Sequence, residues 1–211
     1  MMVPRNSDPQ ARHDRDSVAD TALRLLDEVG LPDLSMRRLA GELGIQPSAL
    51  YWHFDSKQEL FGAIAERILA RIPPLAASSG SDAEVLACAR GIRDALLAYR
   101  DGAEVVLSSY ALGFGVGRAE TELRRVLGAR TTRSPETAAA TLLQFVIGHA
   151  LLVQQRLHAE SHGASRAGQD DATAEVSAVF DDGVRLFLQG VDGPGAGAKT
   201  TPRYDTVDTS E

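Results

Sequence analysis

Between Ser35 and Phe54 the sequence asks for two short helices joined by a three-residue turn, and this constrains everything around it. Ser35 is placed to N-cap a helix carrying Leu39, Ala40 and Leu43, because a serine hydroxyl accepts from the free N–H groups of a first turn. Gly44 stands where that helix must end in a left-handed residue, a conformation open mainly to glycine. The turn is Gly44-Ile45-Gln46, and Pro47 suits the first position of the next helix, where its missing N–H costs nothing. Leu50 and Phe54 give that second helix an inward face. Helices this short are marginal alone in water, so both must pack on neighbours. A helix-turn-helix is the expected unit.

The neighbours are written on either side. A first helix is expected from about Asp14 to Val29, with Val18, Ala22, Leu25, Leu26 and Val29 at helical spacing and Gly30 as its stop. Ser56-Lys57-Gln58-Glu59 reads as a capping box that opens a fourth helix, apolar at Leu60, Phe61, Ile64, Ala65, Ile68, Leu69 and Ile72 until Pro73-Pro74 stops it. A second box, Ser81-Asp82-Ala83-Glu84, starts a helix with Val85, Ala89, Ile92, Leu96 and Tyr99 inward, closed by an Arg100-Asp101-Gly102 turn. Gly113, Gly115 and Gly117 predict a flexible loop between short helices. Ser134-Pro135 caps a long helix that is apolar nearly all round from Leu142 to Val153, and must therefore meet material on every side. A last helix is expected from about Ala172 to Gln189, through Val176, Phe180, Val184 and Phe187. Strand and hairpin signals are nearly absent, so the expected class is all-α. The organisation this implies is a flexible arm over residues 1–13, a helix-turn-helix unit over 14–72, a larger helical unit over 81–191 and a disordered tail over 192–211.

Charge limits what such a chain does. The net charge is −7, which argues against an indiscriminate nucleic-acid binder, since those draw affinity from a basic excess that displaces counterions. Residues 1–72 carry nine Lys and Arg against eleven Asp and Glu. Any attraction for phosphate must therefore come from local placement, with Arg5, Arg12, Arg15, Arg37, Arg38 and Lys57 as the available cations. The single cysteine, Cys88, cannot form an intramolecular disulfide, and MMVPRNSDPQARHDRD lacks the apolar core of a signal peptide. A reducing, cytoplasmic setting is expected. The most apolar stretch, Leu142 to Val153, is interrupted by Gln144 and His149, so no membrane span is expected.

The residues Leu34-Ser35-Met36-Arg37-Arg38-Leu39-Ala40, Leu43-Gly44-Ile45 and Leu50-Tyr51-Trp52-His53-Phe54, with Lys57 and Leu60, resemble the tetracycline-repressor family across residues 16–72. The resemblance implies a homodimeric transcriptional repressor that binds a palindromic, double-stranded operator DNA, is released from it by a small-molecule ligand, and has no enzymatic role. In a helix-turn-helix the second helix enters the major groove with its leading residues against base edges, while the first crosses the phosphate backbone. Gln46, Pro47, Ser48 and Ala49 occupy that leading edge: Gln46 can pair with adenine, Ser48 can donate or accept, and Pro47 and Ala49 suit a thymine methyl. Tyr51, Trp52 and His53 come later on the helix, within reach of phosphates. Ser35, Arg37 and Lys57 lie at helix N-termini, where anions bind. Plainer alternatives stand beside these roles: Trp52 as a packing residue, Arg38 as a solvated charge, His53 as a structural histidine.

Ala95 to Ala103 (ALLAYRDGA) and Gly148-His149 resemble the C-terminal domain of the tetracycline repressors themselves. This implies a ligand pocket among the helices after Ser81, and a homodimer formed by the long helix and the last helix as a four-helix bundle. The chain departs from the pattern at the positions that hold the magnesium–drug chelate there. Val106 stands in place of a metal-binding histidine, Cys88 of an asparagine, Pro73 of a second histidine and Leu157 of a glutamate from the other subunit. Four polar contacts become mainly apolar, so the expected effector is a small apolar or aromatic molecule rather than tetracycline, with no metal and no cofactor. Candidate ligand-binding residues are Cys88, Ile92, Val106, Leu107, Tyr110, Phe114, Phe145 and His149, each with core packing as the alternative. A transcriptional activator, or a regulator whose bundle binds a protein instead of a ligand, is the alternative function. His158 and His162 are four apart, but the glutamate at 160 does not directly follow the first histidine as a zincin motif needs.

Overall fold

The structure is a computed structural model that describes residues 14–74, 79–128, 134–161 and 169–192. The expected arm, the tail beyond Asp192 and His162 lie outside the described residues. Among those described there are nine helices and no strand: α1 Arg15–Val29, α2 Met36–Leu43, α3 Pro47–Leu50, α4 Lys57–Leu69, α5 Asp82–Leu97, α6 Gly102–Ala111, α7 Gly117–Gly128, α8 Pro135–Ser161 and α9 Gln169–Asp192. The all-α class is as expected.

Local chemistry starts these helices where the sequence places them. Asp14 accepts from the Ser17 N–H at 2.8 Å, Ser35 from Arg38 at 3.2 Å and Ser56 from Glu59 at 3.1 Å, and Ser81 with Glu84 closes a reciprocal box. The second half of the Ser56 box differs from expectation. The Glu59 carboxylate accepts from the Asp55 N–H at 2.7 Å rather than from that of Ser56, and pairs with Arg15 at 2.7 Å. Gly44 is left-handed, at φ 67° and ψ 28°. The third helix is shorter than expected: α3 ends at Leu50, and Tyr51, Trp52 and His53 follow in tight turns in which Trp52 and His53 donate to Ala49 and Leu50.

α1 packs on α4 and on α2, and α2 on α3, while α4 reaches on to α5, α6 and α7. One continuous cluster of buried apolar side chains runs from Val18 and Leu26 through Ile64, Ile68 and Leu69 to Ile92, Leu96, Val126, Leu142, Val146 and Phe180. Where α4 ends, Arg118 from α7 donates to the Ile72 carbonyl at 2.8 Å. The glycine-rich segment between α6 and α7 is seated on α4 rather than standing free. Gly115, at φ 70°, lies so close to the Gly62 carbonyl that a Cβ there would come within 2.5 Å of its oxygen.

Side chains also tie the α5–α6 turn in two directions. The buried Asp101, left-handed at φ 54°, accepts from the Leu31 N–H at 2.7 Å and meets His158 Nε2 of α8 at 3.2 Å. The Arg100 N–H donates to Asp27 of α1 at 2.9 Å. From α8, the buried Gln154 accepts from the Ala103 N–H at 3.0 Å and donates to the Leu96 and Tyr99 carbonyls at 3.3 and 2.8 Å. Polar groups at a helix junction that water cannot reach need partners of this kind. One turn thus holds the α1–α2 loop on one side and α8 on the other.

α8 and α9 depart from the sequence reading in two ways. α9 runs further than expected at both ends, so Gln169 to Asp171 and Gly190 to Asp192 are helical. The stretch Pro135–Ala159 is also long and apolar enough, by length and composition, to cross a bilayer, which the interruptions at Gln144 and His149 had argued against. In the fold its Leu142, Leu143, Val146, Ile147 and Ala150 are buried as α8 packs on α5, α6 and α7. Its other side is bare: Leu152 and Leu157, with Val179 and Leu186 of α9, are exposed.

Candidate nucleic-acid interface and candidate ligand cavity

The helix-turn-helix displays one surface made of polar, cationic and aromatic side chains. Arg37, Arg38, Gln46, Pro47, Ser48, Tyr51, Trp52 and Lys57 are all exposed. Arg37, Arg38 and Lys57 form no ion pair among the described residues, whereas Arg24 and Arg67 are engaged by Glu28 and Glu42 and by Asp16 and Asp20. Trp52 is 84% exposed, so it has no packing role among the described residues and leaves a large, mostly apolar ring in water. Leu50 and Phe54 turn inward, and their burial is what presents the aromatic residues between them outward.

Three expected residues are placed differently. Ala49 is only 5% exposed, so its methyl belongs to the core rather than to a surface that could meet thymine. Ser35 is exposed, but its hydroxyl already accepts from Arg38 as the cap of α2. His53 is half-buried, and its carbonyl accepts from Arg15 at 2.6 Å. Arg15 itself, read from the sequence as an available cation, lies 4.3 Å from the Phe54 ring centroid and pairs with Glu59. It fixes the segment after α3 against α1 and α4. The Asp55 N–H, and secondarily Arg15, hold the Glu59 carboxyl below its usual range.

Of the eight candidate ligand residues, only His149 lines either of the two cavities found among the described residues. Cys88, Ile92 and Val106 are closed into the core, Leu107 and Phe114 are exposed, and Tyr110 packs at its edge. Burial, with a smaller push from Glu122, raises the Cys88 thiol to about 12, so it stays neutral and unreactive. Phe145 stacks on Phe180, with centroids 5.7 Å apart, and His149 lies 4.8 Å from the same ring. His149 also lines a cavity of about 170 Å³ with Leu152, Val153, Arg156, Val176 and Val179, between α8 and α9. A second cavity, of about 300 Å³, opens between Lys57, Gln58 and Phe61 of α4 and Ser108, Ser109 and Leu112 at the end of α6. Nothing in the apolar periodicity pointed to it. Among the described residues no group of three or more His, Cys, Asp or Glu is placed to hold a metal ion, and His158 faces Asp101.

Burial, then Arg93 and Arg156, lowers the proton affinity of His149 below its ordinary value of 6.5. In the window below 6.5 the unfolded chain therefore binds more protons than the folded one, and stability falls as pH falls. Melting temperature measured from pH 7.5 down to 5 is expected to drop more steeply for the wild type than for His149→Gln. Parallel curves would remove His149 as the cause.

A helix-turn-helix with an exposed cationic and aromatic face, joined through a long helix to a larger helical body, defines a DNA-binding regulator architecture. Residues 18–64 match the model of the bacterial regulatory proteins of the tetR family, and residues 74–180 match the tetracyclin repressor-like C-terminal domain. The chain belongs to the tetR family of bacterial DNA-binding transcription regulators. It is 33% identical to the class A tetracycline repressor from transposon 1721 of Escherichia coli, over 86% of this chain and 96% of that protein. The crystal structure of Mycobacterium smegmatis BioQ is similar at a TM-score of 0.76 and 35% identity, covering 86% of this chain and 98% of that one. BioQ bound to its double-stranded DNA operator gives a TM-score of 0.72 and 32% identity, over 87% of this chain and all of that one.

Proposed function

We propose that this protein is a homodimeric transcriptional repressor that binds a palindromic operator in the cytoplasm and is released by a small apolar or aromatic effector. The observation that carries the DNA contact is the surface on which Tyr51 and Trp52 stand exposed beside Arg37, Arg38 and Lys57, none of them ion-paired among the described residues. Gln46, Pro47 and Ser48 are the exposed residues at the leading edge of α3 and take the base contacts. Arg37, Tyr51, Trp52 and Lys57 take the phosphates.

Selection of bound sequences from a random duplex library is expected to enrich a palindrome with half-sites roughly one turn apart, about 34–36 Å. Arg37→Ala and Tyr51→Ala should each weaken binding about tenfold, as losing one good charged or aromatic contact does. The Arg37 variant should also reduce the salt dependence of binding by about one phosphate contact. A folded protein that enriches no sequence would refute the reading. Tetracycline with magnesium should leave the operator complex intact, because Val106 and Cys88 place an aliphatic side chain and a neutral thiol where the drug-binding relatives hold polar groups.

The dimer reading rests on the bare apolar side of α8 and α9. Leu152, Leu157, Val179 and Leu186 are too many large apolar side chains on neighbouring helices to leave in water without a partner. A second copy that presents the same two helices buries them on both sides of a two-fold axis. Leu186→Asp should therefore shift the protein from dimer to monomer in light scattering, with its helical content retained. A wild-type protein that is monomeric at tens of micromolar would overturn this.

A further inference from the structure

The cavity between the start of α4 and the end of α6 has a chemistry of its own. Its volume of about 300 Å³ lies at the small end of the range for ligand pockets. Ser109 lines it, is only 1% exposed, and its hydroxyl has no hydrogen-bond partner. Such a hydroxyl is an unpaid desolvation cost unless something brought into the cavity satisfies it. Lys57, also on the wall, has no ion-pair partner among the described residues, and its ammonium is 4.9 Å from the Phe61 ring centroid. Lys57 and Gln58 form the first turn of a thirteen-residue helix, the end that carries positive potential. Gln58 and Ser108 add neutral polar groups, and Phe61 and Leu112 add apolar ones.

We propose that this cavity binds a small monocarboxylate with an apolar or aromatic body. The Lys57 ammonium and the Ser108 and Ser109 hydroxyls serve its carboxylate, while Phe61 and Leu112 bear on its body. One positive group beside donors fits a single negative charge, and the size suits a molecule of one ring or a short chain. The site is distinct from the α8–α9 cavity at His149. Its regulatory meaning rests on Lys57 being a phosphate contact: a carboxylate on Lys57 takes that cation from the operator and wedges α4 against α6, so ligand and operator compete.

The test uses the full-length protein without DNA, so that it succeeds or fails independently of the operator reading. The probes are 4-phenylbutyrate and its neutral amide, titrated calorimetrically into wild type, Lys57→Met, Ser109→Ala and Leu112→Trp. Saturable binding of the carboxylate is expected with a Kd of about 1 mM, ordinary for a probe of this size. The amide should bind about tenfold more weakly, as loss of a charged partner requires. Lys57→Met should erase the preference for carboxylate over amide, and Leu112→Trp, which fills the cavity from its exposed wall, should remove binding of both. Ser109→Ala should weaken the carboxylate while leaving the fold at least as stable, because it deletes an unsatisfied hydroxyl. No saturable binding to the folded wild type, or a carboxylate preference that survives Lys57→Met, overturns the proposal. Where the carboxylate binds as expected, adding it to an operator complex should raise the apparent Kd for DNA in wild type and not in Leu112→Trp.

Discussion

Asp101→Ala is expected to lower the unfolding free energy by about 2–4 kcal/mol. The wild-type carboxylate is buried, accepts from the Leu31 N–H and meets His158. Alanine removes the acceptor and leaves a part-buried N–H unpaired, which costs about 1–3 kcal/mol. It also puts a residue without a polar side chain into the left-handed region at φ 54°, a further cost of about 1 kcal/mol. Asp101→Asn keeps an oxygen for Leu31 and tolerates the left-handed backbone, so it should retain most of the stability. Urea unfolding of the three proteins separates the terms. An alanine variant as stable as wild type would show that the turn does not hold the α1–α2 loop.

Gly115→Ala is expected to be at least as damaging, about 3 kcal/mol or more, by a different mechanism. The new Cβ would lie 2.5 Å from the Gly62 carbonyl oxygen and 3.0 Å from the Ala65 Cβ, so the segment must lift from α4 as well as adopt a strained φ. Gly44→Ala is the control. Its φ of 67° is similar, yet nothing lies within 4 Å of the position, so only the backbone strain of about 1 kcal/mol remains. Equal losses at the two positions in thermal melts would mean that the close packing on Gly62 contributes nothing.

These two glycines show where the sequence could be read and where it could not. Gly44 was legible because its role is local: a helix that ends, a left-handed residue and a short turn are adjacent in the chain. Gly115 was legible only as a loop residue, since the Gly62 carbonyl that forbids a side chain is supplied by a remote helix. The same division runs through the fold. The starts of α1, α2, α4 and α5 rest on Asp14, Ser35, Ser56 and Ser81 within their own first turns, and the sequence placed each of them. The true start of α9 was missed, although Asp170 and Asp171 are the kind of acidic residues that favour a first turn.

The candidate DNA surface divides in the same manner. Exposure of Tyr51 and Trp52 follows from Leu50 and Phe54 pointing inward. The burial of Ala49 was not readable, because α3 is four residues long and helical spacing cannot assign a face over one turn. The pairing of Arg15 with Glu59 needed the relative position of α1 and α4. The candidate ligand residues follow from the resemblance of the C-terminal half and are mostly apolar, a character that core and pocket share, and only packing separates the two. The unsatisfied Ser109 hydroxyl leaves no trace in sequence at all.

The doubly tied turn at Arg100 to Ala103 bears on how far this reader of DNA is a portable part. Residues 14–72 are not self-sufficient: the Leu31 N–H is satisfied by Asp101, and Asp27 by the Arg100 N–H. Cutting after residue 72 would strip both contacts and bare Ile68, Leu69 and Ile72, which are buried in the intact chain. A chimera that carries the helix-turn-helix to another helical body would have to bring a carboxylate at the place of Asp101 and a glutamine at that of Gln154. Exchange of specificities by recombination is therefore constrained by two side chains far along the chain.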